Sequence, residues 1–143
     1  MDADALKQMM EDFIPFNAFL GVRVTTASSA LVVMEIPFRP ELVGDPMRPA
    51  LHGGVLSALA DTCGGAAVWV AIDSPTARVS TIDLRIDYLR PARLETLVAE
   101  ARIVRLGNRV GVADVRLYNG DQPDVSVATG KGVYNISVGK NPI

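Results

Sequence analysis

Residues 53–72, GGVLSALADTCGGAAVWVAI, are the most hydrophobic stretch of the chain and carry one charge, Asp61. A helix of this length that is apolar on every side has two homes, a bilayer or the centre of a fold that covers it. The central Asp61, four glycines and the lack of Lys/Arg asymmetry at its flanks argue against the bilayer. The stretch therefore predicts a buried central helix with the rest of the chain wrapped round it. Burying a carboxylate costs several kcal/mol or raises its pKa. Asp61 consequently requires either a neighbouring hydroxyl, with Ser57 and Thr62 the nearest in sequence, or a chemical role.

What remains of the chain supplies the wrapping. With 143 residues, 49% of them hydrophobic, it suits one domain spanning 1–143 and a core that needs no disulfide or metal. Residues 2–13 place Leu6, Met9, Met10 and Phe13 at helical spacing. Pro15 is expected to end that helix, and FLGVRVTTA to begin strand. SSALVVMEIPF (28–38) reads as a second strand, hairpin-paired with the first. RPELVGDPMRPA (39–50) holds three of the nine prolines and reads as a loop leading into the helix. After Asp73, Ser74 and Pro75 the pattern is strand. Ile82, Leu84, Ile86 and Tyr88 alternate with Asp83, Arg85, Asp87 and Leu89. Strands over 94–106, 109–119 and 124–136 follow, separated by turns at Gly107-Asn108 and Asn119-Gly120. An antiparallel sheet with one polar face, curved round one all-apolar helix, satisfies every segment. This is an α+β arrangement, the hotdog fold. Small residues in the helix (Gly64, Gly65, Ala66, Ala67) and on one strand face (Ala128, Gly130, Gly132) are expected to permit close helix–sheet approach.

Charge and cysteine content narrow the function classes. The net charge is −2, and the basic residues are scattered, so no patch points to nucleic acid. The single cysteine, Cys63, excludes an intrachain disulfide and fits a reducing cytoplasm. MDADALKQMMEDF lacks the positive n-region and apolar core of a signal peptide. One histidine and one cysteine give no basis for a metal site. These features read as a soluble, cytoplasmic protein with no cofactor.

Leu51-His52-Gly53-Gly54 marks the helix start. The first N–H groups of a helix have no intrahelical partner and lie at its electropositive end, so Gly53 and Gly54 offer reachable donors for a carbonyl oxygen or an oxyanion. The glycines also suit a plain tight turn. His52 is expected to hold that turn through backbone hydrogen bonds, with direct acid–base work the weaker reading. Asp61 is a candidate general base or nucleophile. Eight residues separate it from Gly53, about 12 Å along one helix axis. The two groups can share one carbonyl only if two chains pack with each helix start facing the other's Asp61. An enzymatic reading therefore predicts a homodimer with composite sites. Cys63 lies roughly 200° round the helix from Asp61 and reads as a small buried residue. Trp69 reads as core. Strand parity puts Thr81 with Asp83, Arg85 and Asp87, facing out of its own core and toward a partner chain, unless a bulge intervenes.

LHGGVLSALADTCGGAA followed by STIDLRIDYLRPAR resembles the PaaI-like branch of the hotdog-fold acyl-CoA thioesterases, with an HGG turn, an acid nine residues after the His, and a strand ending in Tyr88-Leu89-Arg90-Pro91-Ala92. The resemblance implies hydrolysis of small, medium or aryl acyl-CoA thioesters to acid and CoA. Asp61 would activate water or attack directly, the Gly53 N–H of the opposing subunit would polarise the carbonyl, and Thr81 would orient the water or the acid. The family's Asn six residues before the His is replaced by Pro46, and Asp45 is the nearest match. Asp45, Gly54, Ser57 and Thr62 are the candidate substrate-binding residues. A tetramer built from dimers is the family expectation. Two rival classes stand beside hydrolysis, a hotdog hydratase or dehydratase and a non-catalytic acyl-CoA binder. His52 lies too far from its own Asp61 to pair for the first, and an apolar tunnel for the second has no need of Asp61.

Overall fold

The computed structural model describes residues 2–74 and 76–139. Met1, Pro75 and residues 140–143, the ends of the expected 1–143 span among them, lie outside the described residues. Helix α1 (Ala3–Gln8) starts on Asp2, whose carboxylate accepts from the Ala5 N–H at 2.7 Å, and continues as a π-helical turn over Met9–Phe13. Pro15 does not release the chain into strand. It occupies the first turn of a second helix, α2 (Pro15–Leu20), where its missing N–H and fixed φ are harmless. Gly21, at φ 78°, ends that helix. Leu6 and Met10 are buried and seat this N-terminal segment on the core. The Glu11 carboxylate accepts from the Val24 N–H at 2.8 Å and ties it to the first strand.

Strands β1 (Arg23–Ala27) and β2 (Val32–Ile36) form the expected hairpin. The segment read as a loop is more ordered than its prolines suggest. A 3₁₀ turn at Pro40–Leu42 leads into a short ribbon of β3 (Val43–Asp45) and β4 (Ala50–Leu51). Helix α3 (Gly53–Ile72) follows with the expected boundaries. Strands β5 (Ala77–Tyr88), β6 (Leu97–Leu106), β7 (Val110–Asn119) and β8 (Ser126–Val138) complete a six-stranded antiparallel sheet of order β1-β2-β6-β7-β8-β5. Helix α3 packs against β2, β5, β6, β7 and β8, so the sheet wraps it as in the hotdog fold. The helix is long and apolar enough to cross a membrane by length and composition, and half of it is buried inside the fold.

The core lies between the helix and the inward face of the sheet. Leu56, Leu59, Ala60, Cys63 and Ala66 meet Val32, Met34, Leu97, Ala99, Ala101 and Leu117, while Val68 packs with Ala113, Tyr134 and Ile136 in a second cluster. Close approach depends on Tyr134. Its ring lies between helix and sheet, and a Cβ added at Gly64 or at Gly132 would fall 2.3 Å from its hydroxyl oxygen. Those glycines make room for one tyrosine. The Tyr134 O–H donates to the Asp61 main-chain carbonyl at 3.0 Å, and burial pushes its pKa up, with the Asp61 charge adding to the shift.

One register shift decides the site. In β5, Thr81 pairs with Tyr134 and Asp83 with Val133, so Ile82 is left over as a bulge. Ala77, Val79 and Thr81 point toward the helix before the bulge, and Leu84, Ile86 and Tyr88 do so after it. The expectation that Ile82 shares the core face of Leu84 and Ile86 is therefore corrected, since Ile82 is 57% exposed. Thr81, expected to face outward unless a bulge intervened, faces the helix because the bulge is there. An extra residue reverses the parity of a strand.

Candidate active site

Helix α3 is not buried all round. Gly53, Ser57, Ala58, Asp61, Thr62, Gly65 and Trp69 form a continuous stripe that the chain itself leaves half-covered, at spacings of three and four residues. Asp61 is therefore half-buried, where the sequence reading had it enclosed. Its expected hydroxyl partner was a neighbour on the helix, but the structure supplies one from the sheet. The Thr81 hydroxyl donates to Asp61 Oδ1 at 2.8 Å. That bond fixes the carboxylate and leaves Oδ2 without a partner among the described residues. The bulge at Ile82 is what turns Thr81 toward it.

The carboxylate sits at the edge of a cleft of about 280 Å³ between α3, the start of β5 and the N-terminal helices. Thr62 and Gly65 lie beside it on the helix, while Met10, Ile14 and Phe16 form the opposite wall. Asn17 also lines this cleft. It is almost wholly buried, and its amide N–H faces the Met10 sulfur at 3.8 Å. A larger concavity on the far face of the sheet is lined by Arg85, Asp87, Glu100, Asp114, Arg116 and Lys131, which pair with one another, and it does not contain Asp61.

The helix start behaves differently at its two glycines. His52 is the N-cap, and its Nδ1 accepts from the Gly54 N–H at 2.8 Å, so His52 holds the turn as expected. The same bond engages Gly54, and its N–H is not the open donor that the sequence suggested. The Gly53 N–H donates to no group among the described residues. The Tyr88 ring stands over Gly53, and the Tyr88 O–H donates to the Gly53 carbonyl at 3.0 Å. Tyr88 has one proton to give, so the Ser57 hydroxyl is the donor in its short contact with Tyr88 Oη. Ser57 is thereby tied to the helix start, four residues from Asp61. Asp45 closes a local turn. Its Oδ1 accepts from the Met47 and Arg48 N–H groups at 2.9 and 3.1 Å, and those two bonds hold its pKa below the usual carboxylate range.

Trp69, expected in the core, packs against the core and also lines the cleft. Cys63 is inert as expected. It is fully buried, its thiol faces the Val32 and Ala99 carbonyls, and burial pushes its pKa up. The structure thus brings Asp61, Thr81 and Thr62 together, groups Gly53, Gly54, His52 and Ser57 at the helix start, and leaves Asp45 in a separate turn. Asn17, Tyr88 and Tyr134 escaped the sequence reading as site residues. For Tyr88 the signal was available, because an inward tyrosine at the end of β5 reaches the first turn of the helix.

Comparison with known proteins identifies the family. Residues 49–126, which include the helix start, Asp61 and Thr81, match the model of the thioesterase superfamily. A Halobacterium salinarum protein provisionally named an esterase is 40% identical over 141 residues, covering 94% of this chain and 93% of that protein. The medium/long-chain acyl-CoA thioesterase YigI of Escherichia coli is 34% identical over 143 residues, covering 87% and 90%. The crystal structure of a Shewanella oneidensis protein related to the thioesterase superfamily superposes with a TM-score of 0.85 at 29% identity, covering 95% of this chain and 94% of that one. By the family model and by these relatives, the chain belongs to the thioesterase superfamily.

Proposed function

We propose that the chain is an acyl-CoA thioesterase, one hotdog unit per subunit, in which Asp61 activates water or attacks the thioester carbonyl directly. The observation that carries the reading is the Asp61 carboxylate lining a cleft walled in part by Met10, Ile14, Phe16 and Val79, fixed through Oδ1 by Thr81 with Oδ2 left open among the described residues. With water as nucleophile, Oδ2 takes a proton while the water oxygen bonds to the carbonyl carbon. The oxyanion that forms needs a donor, and CoA leaves as its thiolate when the tetrahedral intermediate collapses. The donor in this reading is the Gly53 N–H of a second copy, because about 12 Å of helix separates Gly53 from its own Asp61. Two features support a homodimer. The 12-residue strand β5 is a free sheet edge, and the stripe bearing Asp61 lies half-covered beside it. His52 and Tyr88 then position the donor, Thr62 and Gly54 border the substrate, and Asp45 shapes the approach loop. YigI acts, by its name, on medium and long acyl chains, and the apolar walls of the cleft suit an alkyl chain here as well.

The test is release of free thiol from acyl-CoA substrates by the wild type and by Asp61→Asn. Asparagine keeps the shape and accepts the Thr81 hydrogen bond but cannot take a proton, so turnover should fall about 10²–10⁴-fold. An unchanged rate would remove Asp61 from the chemistry. Binding without thiol release would instead favour a non-catalytic acyl-CoA binder.

A further inference from the structure

The cleft beside Asp61 has a direction. Its floor is the half-covered stripe of α3, on which Asp61, Gly65 and Trp69 occupy successive turns of one face. Gly65 contributes no side chain between the carboxylate and the indole, and the Tyr134 ring flanks that gap. Val79 closes one side and Ile14 and Phe16 the other, and Asn17, Thr62 and Thr81 add polar groups to the lining. Trp69 stands at the far end with its Nε1 shut off from solvent and lacking any hydrogen-bond partner among the described residues. A buried donor without a partner is unfavourable. The indole therefore holds this position through its bulk, with no help from its polar atom.

We infer that Trp69 is the end wall of the acyl-chain pocket and, with the gap at Gly65, sets the longest acyl group that seats fully. The inference rests on the thioesterase reading above and names the substrate class of the same site. From Asp61 to Trp69 the helix rises about 12 Å, and long helical side chains lean back toward the N-terminus, which shortens the usable depth. An extended hydrocarbon advances about 1.3 Å per carbon from bonds of about 1.5 Å, so a chain of roughly six to eight carbons reaches the indole. The pocket is a medium-chain site.

The experiment measures kcat/KM for butyryl-, hexanoyl-, octanoyl- and dodecanoyl-CoA. In the wild type, each methylene that seats should raise kcat/KM by up to about fourfold, and the gain should stop near octanoyl. Trp69→Ala removes the wall, and the dodecanoyl-to-octanoyl ratio should rise at least about tenfold as further methylenes seat. Gly65→Ala acts from the floor without loosening the fold. Its Cβ would meet only the Tyr134 ring, at 3.4 and 3.7 Å, and alanine improves helix propensity. Its octanoyl-to-butyryl ratio should fall. Trp69→Phe keeps a ring and deletes the unpartnered N–H, so its dodecanoyl-to-octanoyl ratio should stay within about twofold of wild type. Thiol release with unchanged ratios in both Trp69→Ala and Gly65→Ala overturns the inference, as does Trp69→Phe behaving like Trp69→Ala. Failure of the wild type to release thiol from any of the four overturns the thioesterase reading instead.

Discussion

Gly53→Pro isolates the proposed oxyanion donor. Replacing a residue with proline usually damages a helix, but Gly53 is the first helical residue, directly after the N-cap His52. Proline is favoured there, and the N–H it deletes has no partner within the described chain. His52 has φ −60° and ψ 132°, which lies in the region that a residue before proline prefers. The added Cβ would approach Tyr88 Cε1 at 3.3 Å, and Tyr88 is about half exposed, so the ring can give by a few tenths of an ångström. Stability should change by less than about 1 kcal/mol, whereas loss of one oxyanion donor costs about 10²–10³ in kcat. A thermal melt beside thiol-release kinetics separates the two effects. Co-expression with Asp61→Asn then tests the two-chain site. Random pairing makes half the dimers mixed, and each mixed dimer joins one wild-type Asp61 to one wild-type Gly53 in one of its two sites, restoring about a quarter of wild-type activity. A Gly53→Pro enzyme within about threefold of wild type would refute the role of the N–H. A mixture no more active than its parents would refute the sharing of the site between chains.

Other consequences follow from the same contacts. Deleting Ile82 removes the bulge and leaves a regular alternation in which Thr81 and Leu84 both still face the helix, so activity should stay well above that of a Thr81→Val variant, which loses the hydroxyl that fixes Asp61; a deletion as damaging as Thr81→Val would show that the bulge itself serves the site. Gly64→Ala forces a Cβ to 2.3 Å from the Tyr134 hydroxyl, and the overpacking should lower stability by about 1–3 kcal/mol in a thermal melt, with partial recovery in the double variant with Tyr134→Phe. Cys63 should resist alkylation until the protein unfolds. Its folded pKa is raised, so the contribution is intact below the unfolded thiol value near 8.5 and is lost as pH climbs above it; denaturant melts at pH 7 and pH 10 should differ in that sense.

The sheet and the helix were legible because each rests on a period. Alternation over Ile86–Tyr88 and the turn residues Gly107, Asn108, Asn119 and Gly120 locate strands by local chemistry, and the helix by unbroken apolarity. Pro15 and the 39–50 segment were misjudged because proline marks the first turn of a helix as readily as an end. The ribbon of β3 and β4 depends on tertiary contacts such as His52 N–H to the Leu42 carbonyl at 2.8 Å. At the site, Asp61 and the glycines were visible as motif, whereas the orientation of Thr81 was not. A cue did exist in β5. Ala77 and Val79 are apolar at odd positions, Leu84 and Ile86 at even ones, and one strand cannot bury both sets without an extra residue between them.

The same reasoning explains why Asp61 looked anomalous in an apolar helix. A helix face meant for water carries charge, and its hydrophobic pattern reveals it. The open stripe of α3 carries glycine, alanine, serine and threonine around Asp61, so hydropathy does not distinguish it from the buried face. Size does. Small residues suit a surface that another body approaches closely, and two such bodies are in reach. Toward Trp69 the stripe floors the cleft, where a substrate chain would lie. Toward Gly53 it runs beside the free edge of β5, where Ile82 and Leu89 are exposed. A second copy pairing along that edge would cover both features at once and bring a Gly53 N–H opposite Asp61. In the proposed two-chain reading, the lone carboxylate belongs to a face that substrate and partner together complete.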